Sequence, residues 1–184
     1  MLTFNFDPFP IVKTERLTLR QLRETDKHEM FAMRSNPELM RFVPRPMAQN
    51  PEEAAATIAT QNELLSKKEM INWGITFTGE DKLIGMVGFF RMQPDHHRAE
   101  IGYMLEKEYH GKKIMEEAIH AAVKYGFEKM NLHSMEAVIS PDNIASYKLI
   151  EKCGFVKEAH FKDKEFYKGV YRDLFVYSRL TDVK

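Results

Sequence analysis

The sequence predicts one α+β domain built on a mostly antiparallel, mixed seven-stranded sheet, and three observations predict it. Segments with the period-two alternation of half-buried strands, such as Leu17 and Leu19 in TERLTLRQL, recur along the 184 residues. Segments of helical period stand between them, and Ile114, Ala118, Ala121, Ala122 and Tyr125 form one apolar stripe. The elements run strand, two helices, three strands, helix, strand, helix, two strands. That grouping of strands, with one strand–helix–strand unit in the second half, belongs to α+β folds rather than to a regular βαβ alternation.

Each element has a local cause. After the strand at Leu17, Thr25 and Asp26 offer a helix cap and Glu29 can complete a capping box with Asp26. Met30, Phe31 and Met33 supply that helix's apolar face until Asn36-Pro37 ends it. Asn50 before Pro51 starts a second helix through the strongly helix-forming EEAAATIATQNELL. INWGITF and KLIGMVGFF read as two strands across the turn GED. RAEIGYML is a strand that feeds the helix at IMEEAIHAAVKYGF. SMEAVIS then leads through PDN into the helix IASYKLIEKCG, which Gly154 closes. FVKEAHF and VYRDLFVYSRL are the last two strands, with the lysine-rich KDKEFYKG between them. Trp73 and most Phe and Met residues read as core.

Composition excludes several function classes. With 43% apolar and 29% charged residues, the chain has neither the low hydrophobicity of disorder nor an apolar run able to span a bilayer. Lys plus Arg and Asp plus Glu balance at 27 each, so no global positive field gathers nucleic acid or anionic lipid. Cys153 is the one cysteine, which excludes an intrachain disulfide and a cysteine-rich zinc site and fits a reducing compartment. MLTFNFDPFPIVK lacks the basic head and apolar core of a signal peptide, so a cytoplasmic protein is expected. The histidines show no metal-ligand spacing, and no metal is expected.

The stretch EYHGKKIMEE raises the functional question. A helix that opens through Gly111 onto Lys112 and Lys113 carries unpartnered backbone N–H groups at an end whose dipole repels those lysines by about 0.3–1 kcal/mol each. A phosphate bound there reverses the sign of that interaction. The segment alone is equally compatible with a solvated turn.

Taken with TERLTLRQLRETD, NWGITFTGEDKLIGMVGFF and LFVYSRL, the stretches AEIGYMLEKEYHGKKIMEEAIHAAVKYGF and AVISPDNIASYKLIEKCGF resemble the GNAT superfamily of N-acetyltransferases. The likeness is to its ribosomal-protein N-terminal acetyltransferase branch and runs from about Ile11 to Thr181. The resemblance implies an α/β/α sandwich and acetyl-CoA as co-substrate. It implies that Gly102, Tyr103, Met104 and Leu105 run along the pantetheine, and that His110, Gly111, Lys112, Lys113, Ile114 and Met115 wrap the pyrophosphate. The family pattern there is Gln/Arg-x-x-Gly-x-Gly/Ala, so Lys113 stands where a small residue is usual. If that position needs positive φ, lysine costs about 1 kcal/mol; if its side chain lies along the phosphates, its charge compensates.

The resemblance also implies that Asn143 holds the pantetheine arm and that Ser146, three residues on, is a general acid beside the sulfur. Asn143 reads equally as the cap of its own helix. Glu165 is implied as the general base and Glu100 as the second candidate, facing away from Ile101. The acceptor is expected to be a primary amine, first of all a protein N-terminus such as that of a ribosomal protein. An α-amine of pKa near 8 is about one-tenth free base at pH 7, whereas a lysine is scarcer by a factor of roughly a few hundred. A polyamine or aminoglycoside acceptor, with Glu106, Glu108, Glu116 and Glu117 lining the cleft, is the alternative enzyme. A CoA-binding sensor without turnover is the alternative outside enzymes. A homo-oligomeric state is left open.

Overall fold

The computed structural model describes residues 1–181; residues 182–184 of the domain expected over 1–184 lie outside the described residues. The strands are β1 (Val12–Lys13), β2 (Leu17–Gln21), β3 (Ile71–Phe77), β4 (Gly85–Gln93), β5 (Arg98–Leu105), β6 (Ser134–Ile139), β7 (Val156–Tyr167) and β8 (Val170–Leu180). The helices are α1 (Lys27–Ser35), α2 (Pro37–Met40), α3 (Pro51–Ser66), α4 (Ile114–Glu128) and α5 (Ile144–Lys152). The sheet has eight strands in the order β1-β2-β3-β4-β5-β6-β8-β7. The expected count of seven is corrected by β1, whose two residues pair with Thr18 and Leu19 but are too short to show an alternation.

Every pairing is antiparallel except that of β5 with β6, which covers only Arg98–Glu100 against Ser134–Glu136. Beyond Glu100 the two strands part. The β6-facing backbone edge of Ile101–Leu105 therefore has no strand partner among the described residues, and a cleft opens in the middle of the sheet.

Helices cover both faces. Ile114, Ala118 and Ala122 of α4 and Ile150 of α5 bury against Ala99, Ile101 and Leu105 of β5 in the larger core. Met30 and Met33 of α1 and Ala54 and Ile58 of α3 bury against Met86, with Met104 packed on them, on the opposite face. This is the expected α/β/α sandwich. Trp73 is fully buried, donates its indole N–H to Pro10 O at 2.8 Å and meets Tyr125 and Phe89 edge-on.

Several caps follow the sequence. Asn50 accepts from Glu53 N at 2.9 Å to start α3, and Gly154, at φ +83°, ends α5. The capping box of Asp26 with Glu29 is a correction, because Asp26 makes no side-chain bond to α1. Its carboxylate instead accepts from both terminal nitrogens of Arg20 and from Arg23 N, so a buried guanidinium outcompetes the helix amides. Asn36, read as a stop, also accepts from Glu38 N and starts the short α2.

Candidate functional site

The loop from Tyr109 to α4 supplies the most distinctive chemistry of the cleft. Among the described residues, the first α4 amide with a backbone acceptor is that of Glu117, on Lys113 O at 3.2 Å, and the six N–H groups of residues 111–116 donate to no protein acceptor. Gly111 (φ +74°) and Lys113 (φ +58°) are both left-handed, a backbone form that gathers successive amides into an anion-binding concavity. The position of Lys113 thus does require positive φ. Its side chain is exposed and makes no hydrogen bond or ion pair within the described residues. Lys113→Gly is expected to relieve about 1 kcal/mol of backbone strain, and a thermal melt is expected to move up by roughly 2–4 °C.

Arg16, in the turn between β1 and β2, sets the direction of those amides. Its guanidinium donates to Lys112 O at 3.2 Å and Lys113 O at 3.3 Å. In a trans peptide the carbonyl and the following N–H point opposite ways. Holding these two carbonyls therefore turns the amides of Lys113 and Ile114 away from Arg16, toward solvent. Glu117 accepts from Arg16 Nε at 2.6 Å, from Arg16 N at 3.0 Å and from Thr14 Oγ1 at 2.5 Å. One of the two first-turn carboxylates, Glu117, is thereby drawn aside from the helix's positive end, where an external anion would be favoured. Lys112 lies over the Tyr109 ring, and a His110 ring nitrogen meets Leu105 O at 2.9 Å, tying the loop to the end of β5.

Across the cleft, Asn143 accepts from Ser146 N at 3.3 Å and so caps α5. The Ser146 hydroxyl sits 2.8 Å from the Tyr103 hydroxyl, a contact that bridges α5 and β5 where the sheet parts. Burial raises the Tyr103 pKa to about 12, so its hydroxyl keeps its proton and can donate to Ser146. Gly102 is required beside it: a Cβ there would lie 2.3 Å from the Phe90 ring.

The two candidate carboxylates occupy different surroundings. Ala99 and Ile101 point into the α4-side core, so Glu100 points to the α1 and α3 side, as expected from the alternation. It is 9% exposed and accepts from Arg91 at 2.8 Å. Burial raises its pKa, and the Arg91 guanidinium opposes that shift in part. Glu165 lies within the β7–β8 hairpin opposite Arg172 rather than in a loop, is half-buried and has no hydrogen-bond partner for its carboxylate within the described residues. The loop reading of KDKEFYKG is corrected by β7 running to Tyr167, its ladder irregular between Phe161 and Glu165.

The structure thus brings Gly102–Leu105, His110–Met115, Asn143 and Ser146 around one cleft and puts Glu100 on the strand that lines it. Sequence reasoning missed Arg16, whose contacts reach 96–101 residues along the chain, and the Tyr103–Ser146 contact, 43 residues apart. No local periodicity signals either one. Among the described residues no group of three His, Cys, Asp or Glu could hold a metal ion, and no helix is long and apolar enough to cross a membrane.

Comparison with known proteins places this geometry. The family described as "Acetyltransferase (GNAT) domain" matches residues 16–156. The uncharacterized N-acetyltransferase YoaA of Bacillus subtilis is 37% identical over 170 residues, 92% of this chain and 96% of that protein. The spermidine N(1)-acetyltransferase of Vibrio cholerae is 29% identical, over 86% of this chain and 90% of its own length. Among solved structures, the ribosomal-protein-S5-alanine acetyltransferase from Vibrio fischeri superposes with a TM-score of 0.82 at 25% identity, over 95% of this chain and 98% of that one.

Proposed function

Because the chain belongs to the GNAT family of acetyltransferases, and is therefore an N-acetyltransferase that takes acetyl-CoA as its co-substrate, we propose that it acetylates the N-terminal α-amine of a protein in the cytoplasm. The observation that supports the coenzyme part of this reading is the run of six amides at 111–116 that have no acceptor among the described residues, two of them, Lys113 and Ile114, turned outward by Arg16, at one end of a cleft that Ser146 closes at the other. A pyrophosphate on those amides would lay the pantetheine along the unpaired edge of β5 and put the thioester near Ser146 and the parting of β5 from β6.

In the proposed step the amine nitrogen attacks the thioester carbonyl carbon, a C–N bond forms and the C–S bond breaks. Holding amine and thioester together supplies most of the rate, because effective molarities for oriented reactants are very large. The proton lost by the amine goes to a carboxylate, and the thiolate takes one from the Ser146 hydroxyl, which Tyr103 supports. Between the two carboxylates we favour Glu100. Burial raises its pKa above the ordinary glutamate value, and it lies on the strand that lines the cleft, whereas Glu165 is half-buried on the hairpin.

A polyamine acceptor would need a carboxylate-lined cleft. Of the four glutamates suited to that role, Glu117 is engaged by Arg16 and Thr14, and Glu108 by Lys82. The resemblance to a ribosomal-protein acetyltransferase also favours a protein acceptor. The test is acetyl transfer in an extract lacking the endogenous protein, with mass spectrometry identifying which amines gain one acetyl group. Modified protein N-termini support the reading. Acetylated polyamines alone would replace it with the polyamine enzyme, and CoA binding without thiol release over a broad amine panel would replace it with a sensor.

Arg16→Ala tests the loop separately. It is expected to weaken acetyl-CoA binding about tenfold, or roughly 1.4 kcal/mol, by calorimetry, while kcat at saturating acetyl-CoA stays near its starting value. Arg16→Lys is not expected to restore binding, since a single ammonium lacks the fork that spans two carbonyls.

A further inference from the structure

We propose, resting on the protein-acceptor reading above, that the acceptor is a protein N-terminus followed by acidic residues, held by a cationic rim on the α1 and α3 side of the sheet. Two surface cavities carry the inference. One, of about 730 Å³, is lined by Phe90, which covers Gly102, and by Arg91, whose guanidinium binds Glu100, so one side chain separates it from the favoured base. The other, of about 190 Å³, lies between the segment after α2 and the β7–β8 hairpin tip and includes Arg172, the cross-strand partner of Glu165. Arg45 lines both, so the two form one band, whose Arg91 binds Glu100 and whose Arg172 stands opposite Glu165 on the neighbouring strand.

The charge of this band is one-sided. The smaller cavity is lined by Arg41, Arg45, Lys168 and Arg172 and by no carboxylate. The larger has Lys67, Lys68 and Arg91 beside Arg45, against Glu69 alone. Lys67 and Arg91 are paired with Glu63 and Glu100. Arg41, Arg45, Lys68, Lys168 and Arg172 have no carboxylate within ion-pair distance among the described residues. Beneath the band, Arg34 has its Nε buried without a hydrogen-bond partner, and Arg45 is the like charge acting on it. The chain as a whole is neutral, so this concentration of unpaired guanidinium and ammonium groups is local.

Such a rim repels a polycation like spermidine. It offers the forked donors that bind carboxylates in pairs, which an extended acidic peptide provides along its length while its amine reaches the cleft. This selects by charge within the class of N-termini and leaves the residue at the first position to the cleft beside β5.

The test is steady-state kinetics with peptides that share the first residue and length but carry acidic, neutral or basic residues after it, with spermidine alongside, at low and at physiological salt. The acidic peptide is expected to exceed the neutral one about tenfold in kcat/KM and to lose most of that advantage as salt screens the rim. Arg45→Glu combined with Arg172→Glu is expected to invert the order toward the basic peptide while acetyl-CoA affinity stays unchanged by calorimetry. Lys168→Glu, on the exposed hairpin tip, is expected to reduce the preference in the same direction should the double variant fail to fold.

Equal rates for acidic and neutral peptides would overturn this inference and leave the protein-acceptor reading standing. Turnover of spermidine with none of the peptides would overturn both. An RNA oligomer that binds the wild-type rim but not the reversed one, with no discrimination among peptides, would assign the band to RNA and overturn the inference.

Discussion

Glu100→Gln is expected to lower kcat by about 10²–10³, the scale of a lost general base, with acetyl-CoA affinity unchanged. Glutamine keeps the shape and the bond from Arg91 but cannot take a proton. The base must be ionised, and burial raises its pKa, so kcat/KM in the wild-type enzyme is expected to show one acid limb at a value above the ordinary glutamate range and to keep rising beyond it as the α-amine itself deprotonates at about pH 8. That acid limb should be absent in Glu100→Gln. Arg91→Leu removes the cation that favours the charged form, so its limb should move to higher pH, a shift that a purely structural ion pair would not produce.

The same group makes a signed statement about stability. Folding binds the Glu100 proton more tightly than the unfolded chain does. The stability this adds is complete below the unfolded value of about 4.3 and is lost as pH rises through the folded one. Glu165→Gln is expected to change kcat by less than about tenfold, the residual electrostatic effect of a group that solvent still screens. An equal or larger loss at Glu165 would transfer the role of base to the hairpin.

Asp26→Ala is expected to destabilise the fold by about 3–5 kcal/mol, the loss seen when one partner of a buried ion pair is removed. Arg20 and Asp26 are 5% and 4% exposed and joined by two parallel bonds of 2.8 and 2.7 Å. Asp26 also accepts from Arg23 N at 2.7 Å, and Arg20 donates to Asp81 O at 2.7 Å, so the pair locks β2 to the start of α1 and to the β3–β4 connection. The single substitution would leave the buried Arg20 guanidinium only the exposed Asp81 carboxylate, 3.3 Å from its Nε, as counter-charge. For a chain of this length the thermal midpoint is expected to fall on the order of 10 °C, at roughly 2–4 °C per kcal/mol. The double change Arg20→Met with Asp26→Leu should recover most of that loss, because an apolar pair carries no desolvation penalty. Failure to recover would mean that the pair contributes position as well as charge balance.

The contrast between Asp26 and Asn50 shows how far local patterns reach. Both stand at helix starts and both have the side chain of a cap. Asn50 accepts from Glu53 N and caps α3, whereas Asp26 faces an arginine six residues earlier on β2 and is taken by the stronger, charge-assisted partner. β7 teaches the same lesson in another form. Its polar, lysine-rich second half reads as loop, yet it pairs with β8 to the tip, because cross-strand hydrogen bonds stabilise a strand whose faces are both largely wet.

The sequence by itself determined the succession of the long strands and helices, the α4 stripe and the caps at Asn50 and Gly154, and its resemblance to the GNAT superfamily implied the α/β/α layers and a coenzyme site at residues 102–105, 110–115, 143 and 146. Those features rest on periodicity, on residue-specific backbone preferences and on a motif read in order, all of which act over a few residues. Only the tertiary structure decided that Lys113 is left-handed, that Arg16 turns the amides of Lys113 and Ile114 outward, that Tyr103 meets Ser146, and that Arg41, Arg45, Lys168 and Arg172 line one cavity. These depend on which side chains from distant segments arrive at the same place. That is set by how the sheet twists and parts, and a chain position does not encode it locally.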